Sequence, residues 1–231
     1  MTSPFDPKYD QLPDSLAIFP LRGALLLPGG QLPLRIFEPR YLAMIEDALK
    51  THRLIGMVQP RSAHEDMGSA ETYEVGCAGR ISAFSETDEG HVMITLSGLI
   101  RFSIKDELAS TRGYRVVTPN YGPFRDDMRA QDDAVFALDQ EQPKLLSVVK
   151  TYFDTQGFQA DWDALKKTPL DQLITSLSMI CPFEPAEKQA LLEAKTLQER
   201  LNTLTQVMQF AAHDVAGGDD DEDEPPKTTI N

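Results

Sequence analysis

The chain has 231 residues, 41% of them hydrophobic, and a formal net charge of −14. That supplies a packed core for one large domain or two small ones. The acidic balance disfavours capture of nucleic acid or of an anionic membrane, which need clustered Lys and Arg.

The charge is uneven. Asp214, Asp219, Asp220, Asp221, Glu222, Asp223 and Glu224 stand against Lys227 alone, so residues 214–231 carry −6 and the body −8. No run approaches the roughly 18 apolar residues of a spanning helix. The first ten residues lack the basic-then-apolar order of a signal peptide. A soluble, cytoplasmic protein without a membrane partner is the expectation.

Residues 1–14, with Pro4, Pro7 and Pro13, read as an extended arm. Ser15 to Leu21 is predicted as a strand with Leu16 and Ile18 on one face, and Pro20 confines it to an edge or a strand end. Leu25, Leu26 and Leu27 follow. Three consecutive leucines cannot all face one core from a strand. Either both faces are covered, or one side opens as an apolar groove for extended polypeptide. On the second alternative Leu25, Leu26, Leu27, Pro28, Leu32 and Phe37 are the candidate polypeptide-binding residues. Arg35, Glu38, Pro39, Arg40 and Tyr41 form a strand-to-helix corner. Pro39 suits the first helical turn, and the Glu38 charge favours the helix N-terminus and is expected to pair with an arginine. Tyr41, Ile45, Ala48 and Leu49 then recur at helical spacing.

Arg53 to Gln59 is a second strand, and 60–70 a polar loop. Period-two alternation follows, with Tyr73, Val75, Cys77, Ile81 and Ala83 on one face and Glu74, Arg80 and Ser82 on the other. Val92, Ile94 and Leu96 alternate likewise, as do Ile100, Phe102 and Ile104 against Arg101, Ser103 and Lys105. Tyr114 to Pro119 is the last strand. Residues 125–142 are acidic and weakly helical. Pro143 opens a helix with Leu145, Val149, Tyr152 and Phe153 inward, and Asp161 to Lys167 makes one short turn. Thr168 is predicted as the N-cap of a helix bearing Leu170, Leu173, Ile174, Leu177 and Ile180. Pro185 opens another, and Thr196 with Glu199 fits a capping box before the Leu197, Leu201, Leu204, Met208, Ala211 stripe. The expected architecture is α+β: an arm (1–14), a partly closed β-rich unit (15–123), a helical bundle (124–215) and a disordered acidic tail (216–231).

Chemistry-bearing motifs are missing. There is no G-x-x-x-x-G-K-[ST], H-E-x-x-H, paired C-x-x-C or G-x-S-x-G. His52, His64, His91 and His213 sit apart, and Cys77 and Cys181 read as reduced core thiols. No catalytic residue, metal site or cofactor is assigned.

Several ordered blocks carry a resemblance. F-P-L (Phe19–Leu21), L-P-G-G-Q-L-P-L-R-I-F-E-P-R-Y (Leu27–Tyr41), G-C-A-G-R-I (Gly76–Ile81), G-L-I-R-F-S-I (Gly98–Ile104) and P-A-E-K-Q-A-L-L-E-A (Pro185–Ala194) are similar to the N-terminal domain of Lon proteases. The resemblance implies a PUA-like pseudo-barrel followed by helices, and recognition of unfolded or tagged polypeptides. It also implies that the ATPase and Ser-Lys peptidase parts lie elsewhere, so this chain is not expected to cleave peptide bonds. The leading expectation is a non-enzymatic polypeptide-binding module. The alternatives are an adaptor or regulator of full-length Lon protease, and an RNA-binding PUA-like protein, which the −8 body charge disfavours.

Overall fold

A computed structural model describes residues 4–61, 70–88, 90–128 and 138–217. The expected polar loop, part of the acidic stretch and the acidic tail fall largely outside these residues. Six strands form one sheet among the described residues: β1 (Leu16–Pro20), β2 (Gln31–Ile36), β3 (Leu54–Val58), β4 (Val75–Glu86), β5 (Val92–Leu108) and β6 (Arg115–Asn120). Their order is β2-β5-β4-β3-β1-β6. Only β1–β3 is parallel. The far half of β5 also pairs with β6, for example Ser103 with Asn120. Five strands thereby close a small pseudo-barrel, and β2 extends it along the near half of β5. Pro33 is tolerated because β2 is an edge.

The barrel wall separates two cores. Inside lie Leu16, Ile18, Leu54, Val58, Ala78, Ile100, Phe102 and Val117. Outside, a larger core joins the wall (Phe19, Ile55, Met57, Cys77, Ile81, Ile94, Leu96) to helix α1 (Pro39–Lys50) and to helices of the second half. Ile94 and Ile100 lie on opposite sides of the wall although both are even-numbered. The cause is a bulge: Gly79 faces Gly98 while Ala78 faces Ile100, leaving Leu99 unpaired. An extra residue reverses which face the following side chains take. Arg101, on the face opposite Ile100 and Phe102 as the alternation predicts, therefore lies under the helices and is 5% exposed.

The second half folds as α2 (Gln142–Gln156), α3 (Trp162–Lys167), α4 (Leu170–Ile180), α5 (Pro185–Glu193) and α6 (Leu197–Gly217). Leu145, Val149, Tyr152 and Phe153 face the core as expected. Two details differ. Pro169, not Thr168, is the N-cap of α4. The Thr168 hydroxyl donates backward to the Ala164 carbonyl, 2.9 Å away, and closes α3 instead. Ile180 ends α4 70% exposed, because Cys181 and Phe183 beyond it take the core positions. Both cysteines are free and buried. Burial raises both thiols, Cys181 to about 12, so they behave as core groups.

Between α1 and β3 the Leu54 N–H donates to His52 Nδ1 at 3.0 Å, which needs a neutral ring. Burial also holds His52 below its ordinary 6.5. The unfolded chain then binds the proton first, so stability falls as pH drops below about 6.5 toward the folded value. We expect His52→Asn, whose amide oxygen accepts the same N–H without titrating, to flatten the melting temperature between pH 7.5 and 5.5. The effect stays under about 1 kcal/mol because the ring is partly in solvent. An unchanged slope in the variant would remove His52 from this role.

Candidate functional site

An open apolar groove of about 390 Å³ runs between α1 and the β4–β5 hairpin, lined by Leu42, Ile45, Glu46, Leu49, Lys50, Phe84, Glu86 and Val92. Its origin is local. The α1 pattern sends Tyr41, Met44, Ile45 and Ala48 into the core. Leu42 and Leu49 flank that stripe and stay half-buried. The hairpin outruns the barrel, so Ser82 to Glu86 are all exposed and Phe84 is not covered by the helix. The helix is also fixed by ion pairs. Arg112 bonds Glu46 (2.9 Å) and Asp47, and the Tyr114 hydroxyl donates to Asp47 at 2.7 Å. Hydrogen bonds from Lys50 and Arg112 hold the Glu46 carboxyl below the usual range.

A second pocket, about 140 Å³, lies at the N-terminal end of α1 between Phe19, Leu21, Leu34, Ile36, Phe37 and Tyr41. Its rim is the predicted corner. Pro39 occupies the first turn and Glu38 is the N-cap. Arg40 Nε donates to Glu38 Oε2 at 3.0 Å and its guanidinium lies over Tyr41. Arg35 reaches His91 Nδ1 instead, at 3.1 Å from Nε. We expect Glu38→Gln to lower stability by less than about 1 kcal/mol, since the pair is only half-buried and solvent still screens it. A melting temperature equal to the parent's would remove the pairing from the corner's stability.

The six residues predicted to line a polypeptide groove separate sharply. Leu25, Leu26 and Leu27 are at most 2% exposed. Their segment is sandwiched: Leu26 meets Gly79 and Gly98 of the barrel wall, and Met179 of α4 lies against Gly30. Both faces are covered, so these leucines supply core and not an open groove. Pro28 and Leu32 are half-buried. Phe37 alone among the six is open, 60% exposed and edge-on to His91 at 5.8 Å.

Sequence patterns do not reveal a polar joint between barrel and helices. Arg101 forks onto Asp127 at 2.9 and 2.7 Å, donates to the Leu192 and Ala194 carbonyls at 3.0 and 2.6 Å, and stacks on Phe124. Arg200 Nε donates to the Leu191 carbonyl at 2.9 Å. Burial and the neighbouring Arg101 pull Arg200 down to about 10. The two cations meet the C-terminal carbonyls of α5, the negative end of its dipole. At the other end of α5, Lys188 Nζ donates to the Gly23 carbonyl at 2.6 Å and Gln59 Nε2 to the Pro185 carbonyl at 3.1 Å. Gln189 Nε2 donates to the Val75 carbonyl at 3.1 Å. Among the described residues no cluster of His, Cys, Asp and Glu could hold a metal ion, and no helix is long and apolar enough to cross a membrane.

A closed β-unit with helices docked on one wall and an apolar groove on another has the fold of two solved Lon domains. One is the Lon N-terminal domain protein from Xanthomonas campestris, with TM-score 0.55 and 22% identity over 83% of this chain and 97% of that one. The other is the N-terminal domain of Mycobacterium avium complex Lon protease, with TM-score 0.60 and 18% identity over 84% and 98%. The family model for the ATP-dependent protease La (LON) substrate-binding domain matches residues 15–209, and the chain belongs to that family. Lon protease of Flavobacterium johnsoniae is 28% identical over 84% of this chain, and Lon protease of Anaeromyxobacter dehalogenans 35% identical over 41%. The chain spans 24% and 11% of those two proteins.

Proposed function

We propose that this chain is a non-catalytic polypeptide-binding module that holds exposed apolar segments of other proteins in the α1–hairpin groove. The observation that carries the reading is the groove itself: Phe84, Leu42, Leu49 and Val92 present adjoining apolar surface that the fold leaves uncovered. Contiguous exposed apolar surface marks sites of this kind. Family membership supports it, since the matched model is Lon's substrate-binding domain. A segment laid on helix and hairpin would bury the part of the Phe84 ring still in solvent, 43% of the residue, worth on the order of 1 kcal/mol, and an aspartate there would add the cost of burying a charge. We therefore expect Phe84→Asp to weaken binding of an unfolded protein or apolar peptide at least tenfold, measured by fluorescence anisotropy, with an unchanged circular dichroism spectrum. Undiminished binding would move the site elsewhere, and no binding by the parent chain would end the reading. A regulator of full-length Lon is the second reading, favoured because the relatives matched are Lon proteases. It predicts a changed degradation rate when the chain is added to that enzyme.

A further inference from the structure

We propose that the groove selects apolar segments that carry a lysine or arginine, with Glu86 as the anion that meets it. This rests on the polypeptide-binding reading above. Three ionised side chains line the groove: Glu46, Lys50 and Glu86. Glu46 and Lys50 neutralise each other across 2.6 Å, and Glu46 also holds Arg112. Arg112 is balanced in turn by Asp47. Glu86 makes no ion pair among the described residues. It closes β4 opposite Val92 and is exposed at the groove's edge, with Asp88 two residues beyond. An uncompensated anion beside an apolar wall attracts a cation and repels an anion on the same ligand, and discrimination comes from both. The wider field has the same sign, since the chain carries −14. Low-dielectric walls concentrate that field in a cleft.

The groove thus distinguishes among apolar segments by charge, which burial alone cannot do. A rim pair of this kind is worth a factor of about two to five for each sign. The ratio between a cationic and an anionic ligand is then about fourfold to twenty-five-fold at low salt. It falls toward one near 1 M salt, where the screening length is about 3 Å.

The test uses the full chain and three labelled peptides of one apolar sequence that differ at a single position, carrying Lys, Gln or Glu. Anisotropy titrations at about 50 mM salt are expected to rank them Lys, Gln, Glu in falling affinity. Glu86→Gln should compress the Lys-to-Glu ratio to less than twofold, and Glu86→Lys should invert it. The Glu86 side chain is exposed and makes no ion pair or hydrogen bond among the described residues, so both variants are expected to melt like the parent. Equal affinities for the Lys and Glu peptides would overturn the charge selection while leaving the binding module intact. A ratio unchanged in Glu86→Gln would overturn the assignment to Glu86. Failure of all three peptides to bind would overturn the module itself, and the selection with it.

Discussion

Arg101→Ala is expected to cost about 3–5 kcal/mol of folding stability, the range for breaking a buried ion pair from one side. The guanidinium is the hub of the joint. It bonds both Asp127 oxygens and the Leu192 and Ala194 carbonyls. Both partners of the ion pair are 6% exposed at the side chain. Truncation leaves the buried Asp127 carboxylate without its ion-pair partner, held only by the Arg101 backbone N–H, and takes the guanidinium from two carbonyls. Solvent cannot satisfy them while α5 stays docked on the barrel. Arg101→Lys should recover little, because a single ammonium cannot span the Asp127 fork and the α5 carbonyls together. The measurement is the urea midpoint at constant slope. A paired Arg101→Met, Asp127→Leu variant separates the ion pair's own worth from the cost of breaking it, since removing both charges leaves no unpaired carboxylate. A loss below about 1 kcal/mol in the single variant would show that the joint is not held here.

This joint also marks where sequence patterns stop being informative. The Pro39 corner is legible because its causes are local: a proline in the first turn, an acid at the cap, an arginine two residues on. The strand alternations and the helical stripes are legible for the same reason, and they lead to a partly closed β-rich unit followed by helices; the pseudo-barrel is what the resemblance implies. For Arg101 the alternation says only that it faces away from Ile100 and Phe102. One unpaired residue at Leu99 and a cover of helices nearly a hundred residues away bury it in a dense set of polar contacts. Lys188 and Gln189 stand inside the P-A-E-K-Q-A-L-L-E-A block, yet helical spacing alone does not tell a seam from a solvated face. The blocks that carry the resemblance thus mark the joint and the loop packed beneath it, whereas the groove depends on how far a hairpin outruns a helix. Only Phe37 of the predicted binding residues is open, since burial of Leu25 to Leu27 needs Gly79, Gly98 and α4 all in place.

Gly98→Ala is expected to destabilise the fold by about 3 kcal/mol, the upper end of ordinary overpacking, and without any change in charge or polarity. A methyl group at Gly98 would land on the Leu27 carbonyl oxygen and lie 3.3 Å from Leu26 Cδ1. Neither backbone is free to yield. Gly29 N donates to the Gly98 carbonyl and Gly98 N to the Gly30 carbonyl, each at 2.9 Å. Relief therefore means lifting the 25–30 segment off the sheet, and that segment carries three core leucines. Gly23→Ala is the control. Gly23 has φ +72 with nothing within 4 Å of an added methyl, so it carries only the backbone penalty, about 1 kcal/mol. Denaturant midpoints should rank the parent first, then Gly23→Ala, then Gly98→Ala by a clear margin. Equal costs for the two would mean that the leucine segment can shift without loss, and that its burial does not depend on contact with the bulge. A clear margin would tie two features into one device: the bulge at Leu99 turns Arg101 under the helices, and the glycine beside it admits the leucine segment that those helices cover.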